Sequence, residues 1–346
     1  MNSNTYKMNG NNYQNNTQNV NTKSYKYLIY MLAVVALSVF SALSGDIITS
    51  IIISGIGGGF FAGICLNKFK VWTVGLVSIC SPALSFFLTQ SLEKTVLSLS
   101  FLPVGIAVFL GMKKGYSRSQ TIVRGIFAET LYYAAVFSSY VYHLFGSISS
   151  SAFRKYIELN LNVVRMYMEQ VKQIYIQNNI NVKELFKKEV LDELIESLRV
   201  TWLGYGFMLF GIFTFVSTVI AKSTIPTGKA KEDFEKKVGK WSFVFSKAGA
   251  AVFVMAYMAA SLYSAEKEGL YLALALNGIC LGMYPGLIYM GGLRIIEKLK
   301  TERKTSYLIS LVIAFAVFGK YVMLLLVIFG IFSAFTYKEK SVQANT

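Results

Sequence analysis

Two ionisable residues sit where lipid is expected. Glu129 lies about two helical turns inside the apolar run Thr121–Phe145, and Lys320 about four turns inside the run Ser306–Phe332. A charge at the centre of a bilayer is costly, so such residues face protein or water and mark proton relays, ion paths or substrate contacts. Glu129, Tyr132, Ser139 and His143 recur at spacings of three and four with Val136 between them, which places them on one stripe of a helix. The stripe fits a solute or proton path, or a hydrogen-bonded helix interface. Asn277, inside the run Leu270–Leu293, carries the same two readings. If both charged spans cross in one direction, Glu129 and Lys320 differ in depth by roughly 9 Å, so an ion pair between them needs helix tilt. The alternative is a protonated Glu129 and a Lys320 bonded to backbone. Arg124 and Lys247 lie near span ends and can snorkel to the interface.

Other chemistry finds no residues to carry it. His143 is the only histidine, and Cys65, Cys80 and Cys280 all fall inside apolar runs. Neither a zinc cluster nor a disulfide framework follows, so no metal and no cofactor is expected. No serine or threonine has a base to activate it, and the expectation is a protein that is not an enzyme. Gly57-Gly58-Gly59 lacks the Lys-Ser/Thr of a phosphate-binding loop.

The elements that hold these residues are set by composition. Apolar residues make up 54% of the 346, charged ones only 15%, and the mean hydropathy is +0.49. That combination excludes an ordinary soluble domain and points to an all-α polytopic helical membrane protein. Candidate spans are Tyr27–Leu43, Ile47–Leu66, Val71–Leu88, Val96–Met112, Thr121–Phe145, Val200–Ala221, Trp241–Ser264, Leu270–Leu293 and Ser306–Phe332, nine in all. The first two are joined only by Ser44-Gly45-Asp46 and the fourth is broken by Pro103, so eight is the alternative count. Ser41 to Gly45 faintly resembles a signal-peptidase site, but a second span follows at once and a retained helix is simpler.

The net charge of +16 is explained by topology and anionic headgroups rather than nucleic acid, since most basic residues flank apolar runs. Connections expected inside carry Lys68 and Lys70, then Lys113, Lys114 and Arg118, then six basic residues from Lys222 to Lys240 and five from Arg294 to Lys304. Connections expected outside are nearly neutral. The expectation is a multi-pass protein of the cell membrane with a cytoplasmic N-terminus. Residues 1–26, rich in Asn, read as a disordered tail. A first membrane bundle is expected over 27–145, a second over 200–335, and a short tail over 336–346.

Residues 146–199 form the one long polar connection. Ile157, Leu161, Val164, Met168, Val171 and Tyr175 repeat at four and three, a seam for packing against a second helix. Asn181 with Glu184 resembles a capping box that opens that second helix at Val182. The expectation is an extracytoplasmic amphipathic helical hairpin whose second helix runs into the sixth span; a helix pair lying on the membrane is the alternative. Gly55, Gly59 and Gly63, and again Gly278, Gly282 and Gly286, repeat every fourth residue as helix-packing faces. Pro285 beside Gly286 weakens the local hydrogen-bond ladder, as a gating interface would use.

The C-terminal third resembles a known family. Asn277 in an apolar span, Gly286, the basic connection Arg294–Lys304 and a last span closing on Gly330-Ile331-Phe332 look like the YybS-like bacterial membrane proteins. The upstream hairpin, the span entered near Val200 and Trp241 opening the next span fit as well, so the resemblance covers about residues 27 to 338. It departs at Ser333, where an acidic residue often follows the glycine motif. The family is remotely similar to substrate-binding subunits of energy-coupling-factor transporters, which implies a transport-like fold and no substrate. Two functions follow as expectations. One is binding or translocation of a small solute in a cavity among spans five, eight and nine, driven by a separate ATPase or an ion gradient. The other is a non-transporting scaffold or regulatory subunit, holding membrane-protein partners on its glycine faces and hairpin.

Overall fold

The computed structural model describes residues 11–66, 71–178, 186–225, 245–262, 270–301 and 305–336. Every regular element among them is a helix: α1 (Asn11–Ser44), α2 (Ile47–Leu66), α3 (Val71–Thr89), α4 (Leu92–Leu97), α5 (Phe101–Lys114), α6 (Arg118–Phe145), α7 (Ser150–Gln177), α8 (Lys188–Thr224), α9 (Lys247–Leu262), α10 (Leu270–Thr301) and α11 (Thr305–Thr336). Among the described residues, four helices are long and apolar enough to cross a membrane: Ile47–Leu66, Leu92–Lys114, Lys188–Thr224 and Leu272–Ile296. Shorter apolar helices cover Leu28–Ser44, Val74–Thr89, Lys247–Leu262 and Tyr321–Thr336. α6 is long enough but is diluted by Glu129 and its tyrosines and serines.

α1 begins at Asn11, inside the stretch whose composition reads as a disordered tail; extending an apolar helix costs far less than nucleating one. The chain divides into two compact units, 1–115 with 216–237 and 116–215 with 238–346. Arg294, at the basic end of α10, donates from Nε to Ser333 Oγ near the end of α11 at 2.8 Å. Gly291 and Gly330 let the backbones of the same two helices touch.

In the first unit the fourth apolar run is two helices. α4 ends at Leu97, and Leu99 and Ser100 donate from N–H back only three residues, to the carbonyls of Val96 and Leu97, before α5 opens at Phe101. Pro103 falls in the first turn of α5, where its missing N–H has no intrahelical partner to lose. A helix break inside a membrane leaves carbonyls to be satisfied by other groups. Here the three-residue bonds take the Val96 and Leu97 carbonyls, and hydroxyls add to them: Ser41 Oγ (3.2 Å) and Ser50 Oγ (3.4 Å) both donate to the Leu97 carbonyl, while Ser100 Oγ donates to the Ser50 carbonyl of α2 at 3.3 Å. All three serines are buried. The stretch resembling a cleavage site therefore lies in a packed helix.

The same unit is closed by glycines. A Cβ on Gly105 would stand 3.1 Å from the Gly58 carbonyl, so α2 and α5 meet backbone to backbone. Gly59 faces Ile220 and the Ser217 carbonyl of α8, Gly63 faces Thr224, and Ser217 Oγ donates to the carbonyl of Gly55. Val34, Phe61, Ile64, Val77 and Phe101 fill the space between α1, α2, α3 and α5.

Gly59→Ala places a methyl 2.7 Å from Ile220 Cβ, whereas a methyl on Gly75 meets nothing within 4 Å. The first substitution is expected to cost about 1–3 kcal/mol by overpacking, and the second to be neutral or slightly stabilising through helix propensity. Thermal unfolding of the two variants in one detergent checks this; equal midpoints would remove the α2–α8 seam.

Candidate functional site: a buried glutamate and an unpartnered helix face

In the second unit α8 is the central strut, with α6 on one side and α10 on the other. On the α6 side, Gly125 lies against Thr214, and Tyr133 stacks on Phe210 with ring centroids 5.3 Å apart and planes at 11°. Glu129 comes one turn after Gly125 and one turn before Tyr133, on the same buried face, and is 0% exposed. Thr214 is also wholly buried, and its Oγ1 has no hydrogen-bond partner among the described residues. The α6–α8 seam thus seals a carboxyl and a hydroxyl from the surface.

On the α10 side, Phe207 packs over Gly278 and Gly282, with a Cβ at those positions 3.2 and 3.1 Å from its atoms. Gly204 stands against the Asn277 carbonyl, 2.7 Å from where its own Cβ would be. Gly286 is half-buried next to Pro285, and α10 continues through both.

These contacts redistribute the residues singled out in the sequence. Glu129 is sealed inside, and Tyr132 is half-buried with its ring edge on Tyr133 at 5.1 Å. Ser139 and His143 are exposed. The buried face of α6 runs instead through Ile122, Gly125, Glu129, Tyr133 and Val136. It diverges from the polar stripe because Gly125, with no side chain, and the flat Tyr133 ring allow the closest approach to α8, and close approach sets which face turns inward. Asn277 belongs to the other seam, where its Nδ2 donates to the Ala273 carbonyl of its own helix at 2.9 Å. It lies level with Gly204, about two turns of α8 from the Glu129 level. The Lys320 side chain, and with it the pairing to Glu129, lies outside the described residues, as does the capping box at Asn181 and Glu184. Gly125, Tyr133, Phe210 and Thr214 were not singled out, although the spacing of Gly125, Glu129 and Tyr133 carried the signal.

The second feature is the hairpin. α8 is one unbroken helix from Lys188 to Thr224, so the hairpin's second arm and the span are a single rod. α7 lies antiparallel along its first part. Glu158 pairs with Arg199, Arg165 with Asp192 at 2.8 Å, and the Tyr175 ring lies 6.2 Å from Phe186. Leu161 is buried, and Met168 packs on Phe186 and Leu191. At the base, Phe137 of α6 meets Tyr156 of α7 and Trp202 of α8 edge to face, at 6.1 and 6.3 Å.

The far side of α7 carries a second apolar stripe. Leu159 (50% exposed), Val163 (41%), Met166 (64%) and Ile174 (56%) are uncovered, with Gln170 between the last two. Beside its lower half runs an open groove of about 930 Å³ lined by Phe145, Arg154, Glu158, Leu159, Val163 and Met166 among others. Compared with family models, curated proteins and solved structures, the chain matches none.

The two faces of α6 make a contrast. Tyr133→Ala removes a 1%-exposed ring. It is expected to cost about 3–5 kcal/mol, while His143→Ala stays within about 0.5 kcal/mol. Denaturant or thermal unfolding compares them; similar losses at both positions would mean that the buried face is misplaced.

Proposed function

We propose that the protein is a membrane-embedded scaffold or regulatory subunit that engages a protein partner through the outer face of its hairpin. One observation carries this reading: α7 presents an uncovered apolar stripe held on a rod continuous with a membrane helix. A contiguous apolar patch of this kind marks an interaction surface. The hairpin runs along the axis of α8 beyond the start of its span, so the upper part of the stripe stands clear of the acyl chains. Protein, not lipid, is then the fitting cover. The glycine faces contribute differently from the scaffold expected from sequence. Gly59, Gly63, Gly278 and Gly282 are occupied by the chain's own side chains, which leaves the hairpin as the docking element.

A photo-crosslinking residue at Val163, in the full chain in native membranes, is expected to give a discrete protein adduct. The same residue at Lys172, on the charged flank, is the control. Lipid adducts alone at Val163, or equal adducts at both positions, would overturn the docking reading.

A second reading rests on Glu129 and Thr214. A wholly buried carboxyl lies in the same seam as a buried hydroxyl that has no hydrogen-bond partner among the described residues, and a proton- or solute-coupled role would use such a pair. A panel of amino acids and vitamins screened by thermal shift tests it. A solute that raises the melting midpoint of the native chain but not of Glu129→Gln or Thr214→Val is expected; equal shifts in all three, or none, would sink it.

A further inference from the structure

Building on the docking reading, we infer that the partner of α7 is the α7 of a second copy of this chain, the two helices pairing in parallel about a two-fold axis along the membrane normal. The inference begins with where α7 places its charges. Glu158 and Arg165 are drawn toward Arg199 and Asp192 of α8, and Glu169 and Lys172 pair with each other at 3.5 Å. At 3.6 residues per turn, Leu159, Val163, Met166, Gln170 and Ile174 fall on a stripe roughly 140° around from the seam with α8. That stripe holds no charge. Its spacing of four, three, four and four is close to a coiled-coil seam.

The bilayer then restricts the geometry. Two copies in one membrane share an orientation, so a two-fold axis relating them runs along the normal and α7 meets its counterpart in parallel. Each seam residue opposes itself. A charge at any of these positions would face a like charge, and none is present. Gln170, the one polar seam residue, suits the arrangement because its amide both donates and accepts, so the pair bonds across the axis. A single polar seam position of this kind fixes register and orientation. The residues flanking a parallel seam from Leu159 to Gln170 are compatible too: Lys155 faces Asn160 and Asn162 faces Tyr167 of the second copy, with no like charges opposed.

The test uses the full chain with Cys65, Cys80 and Cys280 replaced by alanine, its fold checked by thermal unfolding, purified alone in lipid nanodiscs large enough for two copies. Single cysteines replace Val163 or Met166 on the seam and Arg154 on the charged flank, and each is oxidised under the same conditions. A disulfide needs Cβ atoms about 3.5–4.5 Å apart, so Val163→Cys or Met166→Cys is expected to give at least about tenfold more covalent dimer than Arg154→Cys. Adding Met166→Glu to the Val163→Cys chain sets two carboxylates against each other and is expected to lower the yield by about tenfold. Equal yields at seam and flank, or no effect of Met166→Glu, would overturn the pairing. The native-membrane experiment separates the two failures. A discrete Val163 adduct there, without a seam disulfide from the purified chain, overturns self-pairing and leaves the docking reading standing. Absence of both removes the two together.

Discussion

Backbone has to touch backbone in this protein. Lipid tails are as apolar as leucine, so helices inside a bilayer gain little by hiding from their solvent and are held by dispersion contact and a few polar bonds. Both improve as axes approach. The chain brings its axes together at glycines: Gly58 on Gly105, Gly59 on Ile220 and the Ser217 carbonyl, Gly204 on the Asn277 carbonyl, and Gly291 on Gly330. At each site an added Cβ would stand closer than side chains tolerate. Much of the packing in each unit is therefore a consequence of where side chains are missing.

Close approach also decides what happens to polar groups. A hydroxyl on a helix face reaches the neighbouring carbonyl only when the helices nearly touch. Ser217 reaches Gly55, and Ser41 and Ser50 reach the Leu97 carbonyl where α4 ends. These bonds add to the three-residue backbone bonds that close the break in the fourth apolar run. On the other side of the balance, Glu129 and Thr214 are enclosed by the approach that Gly125 makes possible. The same geometry that brings hydroxyls to carbonyls in one seam seals a carboxyl and a hydroxyl from the surface in the other.

The continuity of α8 connects this interior to the surface. Its N-terminal part binds α7 through two ion pairs, Glu158 to Arg199 and Arg165 to Asp192, and the stripe on the opposite side of α7 is apolar. Ser333 shows a smaller version of the same logic. Its Oγ accepts from Nε of Arg294, so the guanidinium meets a hydroxyl and not a carboxylate at that position. A neutral acceptor bonds the cation without forming an ion pair, so the α10–α11 contact depends more on its glycines than on charge.

Helix content, the membrane-scale apolar runs, the hairpin whose second arm feeds a span, and the repeat of Gly55, Gly59 and Gly63 were legible in the sequence, because each is a local pattern of period or length. Which face of α6 turns inward was not. Period alone gave the stripe Glu129, Tyr132, Ser139 and His143, but the glycine at Gly125 and the ring at Tyr133 decided the rotation, and their effect exists only against Thr214 and Phe210. The bond from Arg294 to Ser333 was not legible either, because it depends on how α10 and α11 cross. The outer stripe of α7 was present in the sequence as plainly as the inner one. Only the tertiary structure showed which of the two is covered, because covering depends on the partner helix and not on the helix that carries the stripe.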